Sequence, residues 1–150
     1  MAEVSFYILP SESLQERYEF ACKLIEKAYR SGCFCYVLTD SIEQSRHLDD
    51  LLWTFRSGSF IPPQIYTGEI PSIPNATGKR NVILISSLNA PEHWQKTVIN
   101  LSSHCPEEHD KIERILEILD NSEATKALGR NRYRQYQQSG INITTHKMGH

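Results

Sequence analysis

No stretch of this 150-residue sequence approaches the roughly 20 consecutive apolar residues of a membrane-spanning helix, and its N-terminus lacks the charged-then-apolar order of a secretory signal. The four cysteines, Cys22, Cys33, Cys35 and Cys105, include no C-x-x-C pair. These absences argue against a bilayer-spanning or disulfide-stapled secreted protein, so a reduced, cytoplasmic chain is expected. Phosphate-binding signatures are missing as well. No G-x-G-x-x-G follows an apolar run, Gly78-Lys79 is followed by Arg80 where a P-loop needs Ser or Thr, and Ile73 stands where its first glycine belongs. The loop Pro10-Ser11-Glu12-Ser13 has no glycine to let a backbone cradle approach a phosphate. His104 and His109 have no accompanying ligand set of recognised metal spacing. A thiolate nucleophile at Cys105 beside His104 is conceivable, but sequence adjacency is weak evidence for such a pair, and a buried core thiol is the better reading. No cofactor, metal or catalytic residue is expected.

The formal charge of −2 conceals an asymmetry: residues 121–150 hold five Lys/Arg and one acid, net +4, which leaves −6 for residues 1–120. The positive charge is local. A global excess would point to nucleic acid, but a small basic patch on a mildly acidic chain fits a short acidic peptide equally well.

What is present reads as one domain over residues 1–150, long enough for a real core. The apolar runs Val4–Leu9, Phe34–Leu38, Val82–Ser86 and Thr97–Leu101 predict buried strands. Leu14, Tyr18, Ala21, Ile25 and Ala28 step by three or four behind Ser11 and Ser13 and predict a helix, and Leu48, Leu51, Leu52 and Phe55 mark a second behind Thr39-Asp40-Ser41. Pro91 suits the start of a short helix carrying Trp94. Pro106 is expected to open a third long helix with Ile112, Ile115, Leu116 and Leu119 inward. Phe60-Ile61-Pro62-Pro63 is an apolar stretch that proline keeps out of regular structure, and Tyr66–Asn81 is punctuated like a loop. The order predicts a three-layer α/β/α domain with a mostly parallel, mixed sheet, Rossmann-like but without a nucleotide-binding loop.

The final stretch is the most informative. Lys126, Arg130, Tyr133 and Gln137 fall within roughly a 60° sector of a helix at 100° per residue, while Leu128 and Tyr136 project to the expected core side. Ser139-Gly140 supplies the helix stop, and Ile141 and Ile143 alternate with polar residues as in a closing strand. Basic residues near a helix C-terminus also suit its partial negative charge, so the stripe by itself fits an ordinary solvated face equally well.

V-S-F-Y-I-L at Val4–Leu9, R-S-G at Arg30–Gly32, L-D-D-L-L-W at Leu48–Trp53, S-F-I-P at Ser59–Pro62, V-I-L-I-S at Val82–Ser86 and R-N-R-Y-R-Q-Y at Arg130–Tyr136 followed by G-I-N-I-T-T occur in that order. With these pieces the chain resembles the chi subunit family of bacterial DNA polymerase III. The resemblance implies a non-catalytic accessory subunit that pairs with the psi subunit, through it reaches the clamp loader, and binds the acidic C-terminal tail of single-stranded-DNA-binding protein, with contact to DNA mainly indirect. It maps the tail site onto Lys126, Arg130 and Tyr133, with Gln137 and Gly140 in the same stretch. The family can carry another basic residue at the place of Gln137, and Gly129 inside the helix is unexplained by local propensity. For psi, the apolar Trp53, Phe60, Ile61 and Pro62 are the expected surface. A direct binder of single-stranded nucleic acid and a nucleotide-using α/β enzyme are the alternatives. The first should show aromatics interleaved with basic residues along a groove, the second a phosphate cradle.

Overall fold

The computed structural model describes residues 2–30, 35–54, 63–65, 83–88, 90, 94–106, 109 and 111–148. Seven strands form one sheet: β1 (Glu3–Ile8), β2 (Cys35–Leu38), β3 (Pro63–Ile65), β4 (Ile83–Ser86), β5 (Thr97–Asn100), β6 (Arg114–Leu119) and β7 (Asn142–Lys147). Their spatial order is β3-β4-β2-β5-β6-β1-β7, and every pairing among the described residues is parallel. The antiparallel member expected of a mixed sheet is not among them.

Helices α1 (Leu14–Arg30) and α2 (Ile42–Thr54) cover one face, where Tyr18, Ala21, Ile25, Leu48 and Leu52 pack on Val37, Ile85, Ile99 and Ile118. Helix α3 (Glu123–Gln138) covers the other, where Tyr136 joins Val4, Phe6, Ile115 and Leu119. This is the three-layer arrangement expected, because strands buried on both faces need helices on both. Helices α1 and α2 start on the anticipated caps, and α3 on a serine that pattern reading does not single out. Ser13 Oγ accepts from the Glu16 N–H at 3.2 Å, Ser41 Oγ from that of Gln44 at 3.1 Å, and Ser122 Oγ from that of Thr125 at 3.3 Å.

The expected helix from Pro106 is wrong for its main part: residues Arg114–Leu119 form β6, in the interior of the sheet. Ile115, Leu116, Ile118 and Leu119 are all buried, on alternate faces of a strand. An i, i+1, i+3, i+4 pattern suits a helical stripe and a doubly buried strand equally, and Glu117 between them made the segment look half polar. Pro63 opens β3 instead of staying outside regular structure. Its place is the first residue of an edge strand, where a missing N–H costs no ladder bond. Trp94 is fully buried before β5, while most of the short helix expected around it lies outside the described residues. So do Tyr66–Asn81. Leu128 is not a core residue: it is 42% exposed, whereas Tyr136 is fully buried.

Helix α3 ends as Ser139-Gly140 implied. Gly140 has φ 75°, its N–H donates to the Gln137 carbonyl at 3.1 Å, and the Ile141 N–H donates back to the Tyr136 carbonyl at 3.2 Å. This double bond pattern uses the left-handed residue to turn the chain into β7. Parallel pairing of β7 beside β1 then sets Thr145 opposite Phe6.

Candidate functional site

Between α3 and the ends of β1, β6 and β7 lies a cavity of about 220 Å³, lined by Phe6, Ile8, Leu119, Lys126, Gly129, Arg130, Tyr133 and Thr145. Its floor is strand-borne and apolar; its rim carries the cationic residues of α3. Tyr133 is 37% exposed, and its ring leans on the buried Phe6 ring with centroids 5.6 Å apart. Arg130 is exposed and has no ion pair among the described residues. Lys126 lies 3.3 Å from the exposed carboxylate of Glu123, a surface pair of small energetic weight.

Three of the five expected tail-site residues, Lys126, Arg130 and Tyr133, thus share one slot. Gln137 and Gly140 are exposed further along and do not line it. Gly129 acquires a physical reason. A Cβ there would stand 2.6 Å from Leu119 Cδ1, so glycine lets α3 come close to β6 and keeps the slot open. The residues expected to meet psi cannot be compared in this way. Trp53 belongs to α2 by its backbone, but its side chain, with Phe60, Ile61 and Pro62, lies outside the described residues.

Beneath α3 is a polar cluster that pattern reading missed. Glu117 on β6 is fully buried and accepts from Arg132 Nε at 3.0 and 3.1 Å, Tyr136 Oη at 2.6 Å and Asn100 Nδ2 at 2.9 Å. Burial pushes the Glu117 carboxyl up from its ordinary value, while the Arg132 charge and the donors from Tyr136 and Asn100 pull it back. Burial likewise drives the Tyr136 hydroxyl far up, with the Glu117 charge adding to it. The signal present in the sequence is Arg132 and Tyr136 at i, i+4, on a flank of α3 roughly 90–130° from the cationic stripe, but the apolar pattern around Glu117 reads as a helix.

Cys22, Cys35 and Cys105 are buried. Burial first, then the Glu117 charge, pushes Cys105 up to about 11, which disfavours a thiolate nucleophile there. His104 Nδ1 faces Asp40 at 3.5 Å, whereas His109 bridges the Pro106 carbonyl and Ser139 Oγ, each at 2.9 Å, so the two imidazoles serve different contacts. No metal-binding group of three or more His, Cys, Asp or Glu occurs among the described residues, and none of their helices is long and apolar enough to cross a membrane.

Fold and slot together define a three-layer parallel α/β protein carrying an apolar, cation-rimmed groove on its α3 face. Residues 1–144 match the family described as DNA polymerase III chi subunit, HolC. The chain therefore belongs to the DNA polymerase III chi subunit family, and with it to the replication machinery. Curated relatives bear the same name along their whole length. DNA polymerase III subunit chi of Pseudomonas aeruginosa is 29% identical over 148 residues, covering 99% of this chain and 98% of its own. That of Haemophilus influenzae is 27% identical with 96% of each covered, and that of Escherichia coli 22% with 97% of each. Among solved structures, T4 UvsW superposes with a TM-score of 0.67 at 11% identity, covering 98% of this chain and 41% of that one. At that identity the likeness concerns the fold alone.

Proposed function

We propose that this chi-family chain is a connecting subunit: it binds the acidic C-terminal tail of single-stranded-DNA-binding protein in the α3 slot and pairs with the psi subunit through the region of Trp53, Phe60, Ile61 and Pro62. Psi in turn links it to the clamp loader. The observation that carries the tail reading is the slot itself, with an apolar floor from Phe6, Ile8 and Leu119 under the cations Lys126 and Arg130. A peptide ending in acids, an aromatic ring and a free carboxylate needs both kinds of surface. Arg130 can hold a carboxylate through two parallel hydrogen bonds, whereas Lys126 offers a point charge already shared with Glu123. The psi assignment rests on the family resemblance and on the apolar character of that sequence.

The test is calorimetry with an acidic peptide that ends in an aromatic residue and a free carboxylate. Arg130→Ala removes the partner of a partly desolvated carboxylate, a loss on the order of 2–5 kcal/mol, which is roughly 30-fold or more in affinity. Tyr133→Ala should weaken binding comparably through lost packing, with little change in salt dependence. Binding by Arg130→Ala within twofold of wild type, fold intact, would reduce the stripe to a solvated helix face.

A further inference from the structure

A second cavity, again about 220 Å³, opens at the carboxyl edge of the sheet. Its walls include Arg17, Ser102, Ser103, Thr125, Leu128 and Arg132. None of these lines the α3 slot.

The topology explains why a cavity forms here. From β2 the chain leaves through α2 on the α1 face toward β3; from β5 it passes Cys105 and Ile112 on the opposite, α3 face toward β6. The connections part at the carboxyl ends of β2 and β5, whose following residues Asp40 and Ser102 line the cavity, and parallel α/β sheets leave a crevice where they do so. Leu14 and Arg17 from the first turn of α1, Gln44 from that of α2 and Thr125 from that of α3 all reach this cavity. The positive ends of three helix dipoles therefore converge on it.

The decisive feature is Arg132. Its side chain is 1% exposed, and only Nε is used, on Glu117; both terminal nitrogens are buried without a hydrogen-bond partner among the described residues. Leaving such donors unsatisfied is costly, and an acceptor in the adjoining cavity would remove that cost. Arg17, itself buried, donates from Nε to the Ile118 carbonyl at 2.7 Å and brings a second positive charge to the wall. The acids nearby are committed. Glu117 is held by Arg132, Tyr136 and Asn100, and Asp120 Oδ1 accepts from the Ser122 N–H at 2.9 Å. Asp40, at the mouth, accepts from the Ser103 N–H at 3.0 Å and faces His104. Leu14 and Leu128, 53% and 42% exposed, form an apolar lip.

We propose that this crevice is a binding site for a small organic oxyanion, a carboxylate or a phosphate monoester, whose oxygens accept from the free nitrogens of Arg132 and whose short apolar part lies between Leu14 and Leu128. At this volume a mononucleotide or dinucleotide is too large, since ligand pockets of that kind run from roughly 300 to 1,000 Å³.

The test is heteronuclear NMR on the full chain at constant ionic strength. The signals of the Arg132 and Arg17 side chains and the Ser103 and Thr125 amides are followed through separate titrations with inorganic phosphate, methyl phosphate, acetate and isovalerate. Saturable shifts centred on Arg132, in the millimolar range or tighter, are expected for at least one series, and the tighter series identifies phosphate or carboxylate as the preferred group. Leu128→Glu, at an exposed helix position, puts a competing carboxylate at the mouth and should weaken binding at least tenfold. Arg130→Ala should leave these titrations unchanged while it weakens the tail peptide, so failure here is separable from failure of the tail reading. Shifts that never saturate in any series, that follow Arg130 instead of Arg132, or that persist undiminished in Leu128→Glu would overturn the proposal.

Discussion

Replacing Glu117 by leucine would remove the acceptor of three buried donors at once. Arg132 Nε, 3.0 Å away, loses its counter-charge, and Tyr136 Oη, at 2.6 Å, loses its acceptor; Asn100 Nδ2 keeps the His104 carbonyl at 2.9 Å. At 1% exposure the guanidinium stays largely buried and loses its ion-pair partner. Breaking such a pair costs about 3–5 kcal/mol, and stranding the tyrosine hydroxyl adds roughly 1–3 kcal/mol. Against a domain stability of about 5–15 kcal/mol, Glu117→Leu should be at or near the unfolding threshold. Removing both charges is a different matter. In Glu117→Leu/Arg132→Met the desolvation penalty of both ions disappears together with their attraction, and apolar replacements of buried pairs are often neutral. The double variant should therefore be more stable than Glu117→Leu alone by at least about 2 kcal/mol. Urea denaturation followed by tryptophan fluorescence, with Trp94 fully buried as a reporter, measures wild type, Glu117→Leu, Arg132→Met and the double variant. If the double variant is instead less stable than either single one, so that the losses simply add, the description of Arg132 as a charge dependent on Glu117 is refuted.

Gly129→Ala gains about 1 kcal/mol of helix propensity but drives a methyl to 2.6 Å from Leu119 Cδ1, and the room Leu119 has to move into is the α3 slot. Stability should stay within about 1 kcal/mol of wild type while affinity for the acidic peptide falls; a more stable protein with unchanged affinity would show that the methyl fits. Burial raises Cys105 from 9.0 to about 11, so its contribution to stability is fully present below about pH 9 and is lost as pH rises towards 11, roughly 3 kcal/mol in total. Denaturation midpoints of wild type and Cys105→Ala across that interval should converge, and parallel pH profiles would contradict the assignment. Ile61→Asp should abolish binding to psi in pull-down and leave peptide binding intact, because the two use different elements; loss of both would mean unfolding, and retention of psi binding would remove this residue from the interface.

Much of the molecule was legible in the chain because the relevant physics is local. Helix α1 follows from apolar residues three and four apart behind Ser13, and the stop at Gly140 from the conformation only glycine adopts readily. The clustering of Lys126, Arg130 and Tyr133 needs nothing but the helical repeat, which is why three of the expected tail-site residues line one slot. The ordered motifs that carry the family resemblance are likewise a property of the sequence.

What lay beyond it depends on partners distant along the chain. The segment Arg114–Leu119 is a strand because β5 and β1 take its hydrogen bonds on either side, and no window around Ile115 contains them. Glu117 can be buried only because Arg132, 15 residues later, is brought to it across the sheet-helix interface. Gly129 looked like a defect until Leu119 stood against it. The oxyanion crevice has no motif at all: it exists because connections leaving β2 and β5 part over opposite faces of the sheet, leaving two arginines at the parting. The sequence by itself determined the helix faces, the caps and the family. Tertiary packing alone decided which charges are buried and where the chain leaves space, since burial is set by neighbours that only folding assembles.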